Sequence, residues 1–235
     1  MATFVLVHGA WHGGWCYQRV ATLLRDKGHR VYTPTLSGLG EYSHLYSPAI
    51  NLSTHVQDII NLLEFENLKD VVLVGHSYGG LVIAGVSDRV RQRVAKVVYL
   101  DAYVGEDSES LLDLDPEFLA VIFDGIKNSG GHTMPPFPAE QFGVNPADRA
   151  WVDANCRPQP FATIAERIRL NGAYKTFDDK LYIVSGFQRP IFHQIAAHLK
   201  TQPGWNILEF SCGHDIMVDM PEELTATLLD VAGGT

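Results

Sequence analysis

Six short apolar runs, separated by helix-length stretches, constrain this chain more than any other feature. They are TFVLVH (3–8), HRVYTP (29–34), DVVLVG (70–75), VAKVVYLD (94–101), KLYIVSG (180–186) and WNILEF (205–210). Near-continuous apolar runs of this length read as strands buried on both faces. Between them the sequence predicts helices from Trp15 to Lys27, from Ser53 to Glu64 with Ser53 as cap, and from Tyr78 to about Ser87. Two more are expected, from about Pro190 to Lys200 and from Pro221 to Val231. Strands alternating with helices pack as a parallel sheet covered on both sides. With 235 residues, 46% of them hydrophobic, one such domain can bury a full core.

The alternation breaks once, between 103 and 178. That stretch carries a GG pair at 130–131, the proline-rich MPPFP (134–138), and helical pieces at Ser108–Asp113, Glu117–Lys127 and Ala162–Leu170 with no strand between them. A helical insertion after the fourth strand is expected to lie over the carboxyl ends of the strands, where open α/β sheets carry their sites. The expected division is a core of 1–102 and 179–235 and a cap of 103–178.

The third run leads into VVLVGHSYGG (71–80), which fits G-x-S-x-G between a strand and a helix. A serine on such a tight turn projects its hydroxyl above the sheet edge. Glycines two places before and after it leave room for neighbouring backbone. Ser77 is therefore the candidate nucleophile, and the amide of Tyr78, at the helix N-terminus, is a candidate oxyanion donor. A serine hydroxyl needs a base. His214, in SCGHDIM just after the last predicted strand, can reach over Ser77, and serine would then precede histidine in the chain. His76 is expected to point away, and His12, His44, His132, His193 and His198 lack a comparable strand-end position. The glycine-rich HGAWHGGW (8–15), after the first strand, offers the Ala10 amide as a second oxyanion donor.

The formal charge of −9 is spread over mixed acidic and basic residues, which argues against nucleic acid or an anionic membrane as partner. FVLV at the N-terminus is too short for a signal core or a membrane span. Cys16, Cys156 and Cys212 have no CxxC spacing and read as free thiols of a cytoplasmic protein. No cofactor or metal is expected, because no His/Cys/Asp cluster has ligand spacing. A monomer or homodimer is the expected state.

FVLVHGAWHGGW, VVLVGHSYGG, VYLDAYVGEDSESLLDL and GHDIMVDMPEEL resemble the small α/β-hydrolases related to plant salicylate methyl esterases, hydroxynitrile lyases and bacterial pyrethroid-type esterases. The resemblance runs nearly end to end and is weakest over about 115–175. It implies an α/β-hydrolase fold, a parallel sheet of about six strands with a helical cap. Two positions depart from the plant members. The lyases carry threonine where this chain has Gly9, and lysine where it has Asp215, so the charge that would stabilise departing cyanide is missing. The plant aspartate that follows YIV is replaced here by Gln188, with Arg189 after it. Asp101, at the end of VVYL, occupies the strand end where the haloalkane dehalogenase relatives carry their acid. It is the preferred third member of a triad, ahead of Asp178, Asp179 and Glu209.

These readings converge on a serine carboxylesterase. Ser77 attacks the ester, His214 moves the proton, Asp101 orients His214, and the amides of Ala10 and Tyr78 hold the oxyanion. Substrates are expected to be small to medium apolar or aromatic esters, in a pocket lined by Trp11, Tyr78, Phe118, Phe123, Phe137 and Phe142. The alternatives are a lyase of the hydroxynitrile type, a slow hydrolase acting as a small-molecule receptor, and a non-catalytic scaffold.

Overall fold

The computed structural model describes residues 1–233. The first half runs β1 (Thr3–Val7), α1 (Gln18–Asp26), β2 (Arg30–Tyr32), α2 (Leu52–Phe65), β3 (Val71–His76), α3 (Gly79–Arg89) and β4 (Val94–Leu100). With β7 (Lys180–Ser185) and β8 (Trp205–Phe210), six strands form one sheet in the order β2-β1-β3-β4-β7-β8, every pair parallel. From β1 the chain crosses to β2 on one side, then to β3 on the other. This reversal opens a crevice at the carboxyl ends of the central strands.

The central strands β1, β3 and β4 are buried almost throughout, as their apolar runs require. The last strand, β8 (Trp205–Phe210), departs from that expectation. It lies at the sheet edge with Asn206, Leu208 and Glu209 exposed. β7 (Lys180–Ser185) and α8 (Pro190–Leu199) precede it, and α9 (Ile216–Asp219) and α10 (Pro221–Gly233) follow. Among the described residues no helix is long and apolar enough to cross a membrane.

The segment between β4 and β7 is not wholly helical. It contains α4 (Leu111–Leu114), α5 (Pro116–Asn128), β5 (Thr133–Met134), α6 (Arg149–Asn155), β6 (Gln159–Pro160) and α7 (Ala162–Ala165). β5 and β6 pair as a short antiparallel ribbon. The helix predicted to reach Leu170 stops at Ala165. Glu166 turns extended, and its carboxylate accepts from the Ser53 amide at 2.7 Å and the Ser53 hydroxyl at 2.8 Å. Satisfying those donors at the start of α2 outweighs another turn of helix.

Ser53 is accordingly inside α2 rather than its cap. The cap is Asn51, whose side chain accepts from the Thr54 amide at 2.9 Å while the Thr54 hydroxyl accepts from the Asn51 amide at 3.3 Å. Thr54 fills this reciprocal box in place of the usual Glu or Gln. Asn51→Ala should cost about 1 kcal/mol, read as a lowered midpoint in chemical denaturation.

Candidate active site

The turn after β3 places Ser77 at φ 52°, a left-handed conformation rare outside glycine. Three backbone bonds hold it there. The Ser77 amide donates to Leu100 O at 3.1 Å, and Ser77 O accepts from the Gly80 and Tyr103 amides at 3.0 and 3.1 Å. The flanking glycines are required by contact. A Cβ on Gly75 would lie 2.6 Å from Gly79 O, and one on Gly79 would lie 2.7 Å from His8 O. Gly9 is constrained in the same way, since a Cβ there would stand 2.8 Å from His76 Nδ1 and 2.9 Å from Ser77 Cβ.

Asp101, the residue after β4, is fully buried and also has a positive φ, 43°. Its amide donates to Ile183 O at 2.7 Å. Its Oδ2 lies 2.7 Å from His214 Nδ1. The same carboxylate accepts from the Ser185 amide at 3.0 Å and the Ser185 hydroxyl at 2.7 Å. Three donors on a buried carboxylate keep it oriented and compensate its desolvation. Gln188 has no such place. It is exposed, and its amide donates to Gly186 O at 2.9 Å.

Ser77, His214, Ala10 and Tyr78 line one cavity of about 100 Å³ under the segment between β4 and β7. Its walls include Trp11, Phe118, Phe137 and Phe142, together with Phe187 and Phe192, which the sequence did not single out. Phe192 stacks on the His214 ring with centroids 4.9 Å apart. Phe123 does not belong to the pocket: it is 57% exposed. α5 buries Phe118, Ile122 and Ile126 along one stripe, and the residue after Ile122 is turned about 100° away from it. A larger cleft of about 520 Å³ lies by α8, lined by Tyr99, Tyr174, Lys180 and Trp205, and contains neither Ser77 nor His214. The smaller cavity is the one lined by Ser77 and His214.

Polar residues missed in the sequence also reach this cavity. Arg189 and Tyr103 line it, and both bond the buried Asp115 carboxylate, Arg189 Nη2 at 2.5 Å and Tyr103 Oη at 2.8 Å. The guanidinium also sits 4.8 Å from the Phe118 ring centroid. Trp11 fastens the loop after β1 to the ribbon. Its indole donates to Met134 O at 3.0 Å, and its amide donates to Gln159 Oε1 at 3.1 Å. Apart from Tyr103 and Asp115, which are 12 residues apart, these partners are more than 70 residues apart in the chain, so no local pattern could have marked them.

His76 is outside the cavity, yet it is not turned from the site. Its ring packs 4.5 Å from that of His214, and its Nε2 donates to His214 O at 3.0 Å. Burial and the adjacent His214 push His76 well below the ordinary histidine range, so it stays neutral. His8 is pushed down to about 3, chiefly by burial. Its Nδ1 meets Gly9 O at 2.8 Å, and its Nε2 accepts from the Leu36 amide at 3.1 Å.

A family model of the alpha/beta hydrolases matches residues 4–227. A carbendazim hydrolyzing esterase of Nocardioides sp. (strain SG-4G) is 44% identical over 238 residues, covering 97% of this chain and 98% of that protein. Methylesterase 1 of Arabidopsis thaliana is 29% identical over 157 residues, 66% of this chain and 51% of the relative. The chain spans about half the length of the plant relatives it matches. Among solved structures, an extracellular alpha/beta-hydrolase from a Paenibacillus species, described as sharing structural and functional homology with tobacco salicylic acid binding protein 2, superposes with a TM-score of 0.86. It is 26% identical, with 98% of each chain covered. The fold, the elbow and these relatives agree: this chain belongs to the alpha/beta hydrolase family.

The Asp101 contacts give two expected outcomes. Asp101→Asn should fold yet lose on the order of a thousandfold in turnover, as when a histidine base is held in the wrong tautomer. Ser185→Ala, which removes one of the three donors on that carboxylate, should cost roughly tenfold, the size of one charge-assisted hydrogen bond of about 1.5 kcal/mol. Steady-state kinetics on an aryl ester, with thermal melts to check folding, measures both.

Proposed function

We propose that this carboxylesterase cleaves small to medium apolar or aromatic esters through an acyl-enzyme on Ser77. Ser77 Oγ attacks the ester carbonyl carbon as His214 Nε2 takes its proton. The amides of Ala10 and Tyr78 hold the oxyanion. His214 returns the proton to the departing alkoxide, and then activates water to release the acid and restore Ser77. Asp101 orients His214 and stabilises the imidazolium formed in each half-reaction. The observation that carries this reading is the 2.7 Å contact between His214 Nδ1 and the Asp101 carboxylate, with His214 and Ser77 in one cavity.

The aromatic walls favour flat apolar groups, and a space of about 100 Å³ has no room for a long acyl chain. Support for ester hydrolysis comes from the relative named as a carbendazim hydrolyzing esterase. The lyase alternative loses support, because Asp215 is an acid engaged with His12 at 3.1 Å and any residue larger than glycine at position 9 would crowd His76. The reading treats 103–178 as a cap on a core of 1–102 and 179–235. It keeps a monomer or homodimer in the cytoplasm, where the thiols of Cys16, Cys156 and Cys212 stay reduced.

A serine-directed phosphonate should label Ser77 alone, and Ser77→Ala should abolish turnover. On a p-nitrophenyl ester series the rate should be highest for short acyl chains and aromatic acids. Labelling at another serine with activity intact would overturn the nucleophile, and efficient hydrolysis of emulsified long-chain triacylglycerol would overturn the substrate class.

A further inference from the structure

A second buried pair lies behind His214, and the hydrolytic steps above do not call on it. Asp215, the residue after the base, is fully buried, and its Oδ2 lies 3.1 Å from His12 Nε2. His12 is 2% exposed and turns its other ring nitrogen to Ala10 O at 2.7 Å. One ring nitrogen faces a carboxylate and the other a carbonyl, two acceptors that only the imidazolium satisfies together. Burial alone would lower His12, but the Asp215 charge and hydrogen bond outweigh it and hold the imidazole above its ordinary value. Burial works against the Asp215 carboxylate as well, yet the charge and hydrogen bond of His12 hold it below the usual carboxylate range. The other rings near His12 are Trp15, stacked at 5.2 Å, the neutral His76 at 6.1 Å and Phe142 at 6.4 Å.

The two ends of this pair sit in the two loops whose spacing matters. Ala10 carries one oxyanion amide, and its carbonyl opens the peptide to Trp11, which is held at φ 65°. Fixing the carbonyl on His12 restricts the rotation that would swing that amide. At the other end Asp215 begins α9, its carbonyl accepting from the Val218 and Asp219 amides at 2.8 and 3.0 Å. Its carboxylate is thus anchored to the stretch that presents the His214 imidazole.

We propose that the His12–Asp215 ion pair is a strut that fixes the Ala10 amide relative to the His214 imidazole, which makes both residues positioning residues for ester hydrolysis. The proposal rests on the Ser77 reading of the site. An ordinary buried ion pair would stabilise the fold and leave the reaction of folded molecules alone. A strut acts where the oxyanion forms, so its loss falls on kcat and kcat/KM together, with KM little moved.

The test uses the full chain and a p-nitrophenyl ester, with active sites counted by complete phosphonate labelling. Asp215→Asn and His12→Gln should each lower kcat about ten- to a hundredfold, below the 10²–10³ expected for losing an oxyanion donor outright, with KM within about threefold. The double variant His12→Gln/Asp215→Asn, which can keep an uncharged hydrogen bond across the gap, should lose no more than the worse single one. If a single variant fails to fold, the same kcat loss is read from the double. In the wild type, nitrogen NMR at neutral pH should show protons on both His12 ring nitrogens, and their resonances should move when Ser77 is phosphonylated. Wild-type kcat in a folded variant, a loss confined to KM, losses that multiply, or a neutral His12 would each overturn the strut. Those outcomes with Ser77→Ala inactive refute the strut alone, whereas an active Ser77→Ala refutes the reading beneath it.

Discussion

One buried carboxylate ties the site to the sheet. Asp101 has no exposure to water, and an unpaired charge in that position would cost several kcal/mol. It is compensated by three donors, from Ser185 at the end of β7 and from His214 beyond β8. The ends of three strands are therefore joined through two oxygen atoms. The orientation of His214 follows from this junction, and the Phe192 and His76 rings on either side of it leave little room for another rotamer.

Backbone strain is concentrated where this junction meets Ser77. Six non-glycine residues have positive φ among the described residues, and three of them, Trp11, Ser77 and Asp101, belong to the site. Each such residue costs of order 1–3 kcal/mol unless its surroundings hold it. Ser77 is held by β4 and by Tyr103, Asp101 by β7, and Trp11 by the ribbon and by the Arg157 amide, which donates to Trp11 O at 2.8 Å. The segment between β4 and β7 thus does more than roof the pocket: it fixes the loop that bears the Ala10 amide.

Charge around Ser77 and His214 is sorted by burial and pairing. Burial pushes His76 and His8 below the ordinary histidine range, whereas Asp215 beside it holds His12 above its ordinary value. Arg189 brings a cation to the cavity wall, where it is paired with the buried Asp115 carboxylate behind it. An apolar pocket with one neutralised polar edge suits an aromatic ester better than an anion, because the guanidinium is already engaged.

Much of this was legible in the sequence for local reasons. The apolar runs gave all six strands of the sheet, the central ones because a strand buried on both faces has no polar positions to offer. G-x-S-x-G after β3 gave Ser77, because only a sharp turn needs those glycines. Asp101 was reached through a resemblance, and the strand end it occupies adjoins the end of β7. What the sequence could not carry was pairing across distance. Ser185 meets Asp101 from 84 residues away, Gln159 meets Trp11 from 148, and Asp215 meets His12 from 203. Phe123 and the Ala162–Leu170 helix were misread because helix register and helix end were set by neighbours, the buried stripe of α5 and the Ser53 donors. Local pattern determined the strands and the elbow. Only the folded sheet decided which distant side chains would share a buried charge, because a hydrogen-bond partner is chosen by proximity in space, and proximity here is a property of strand order.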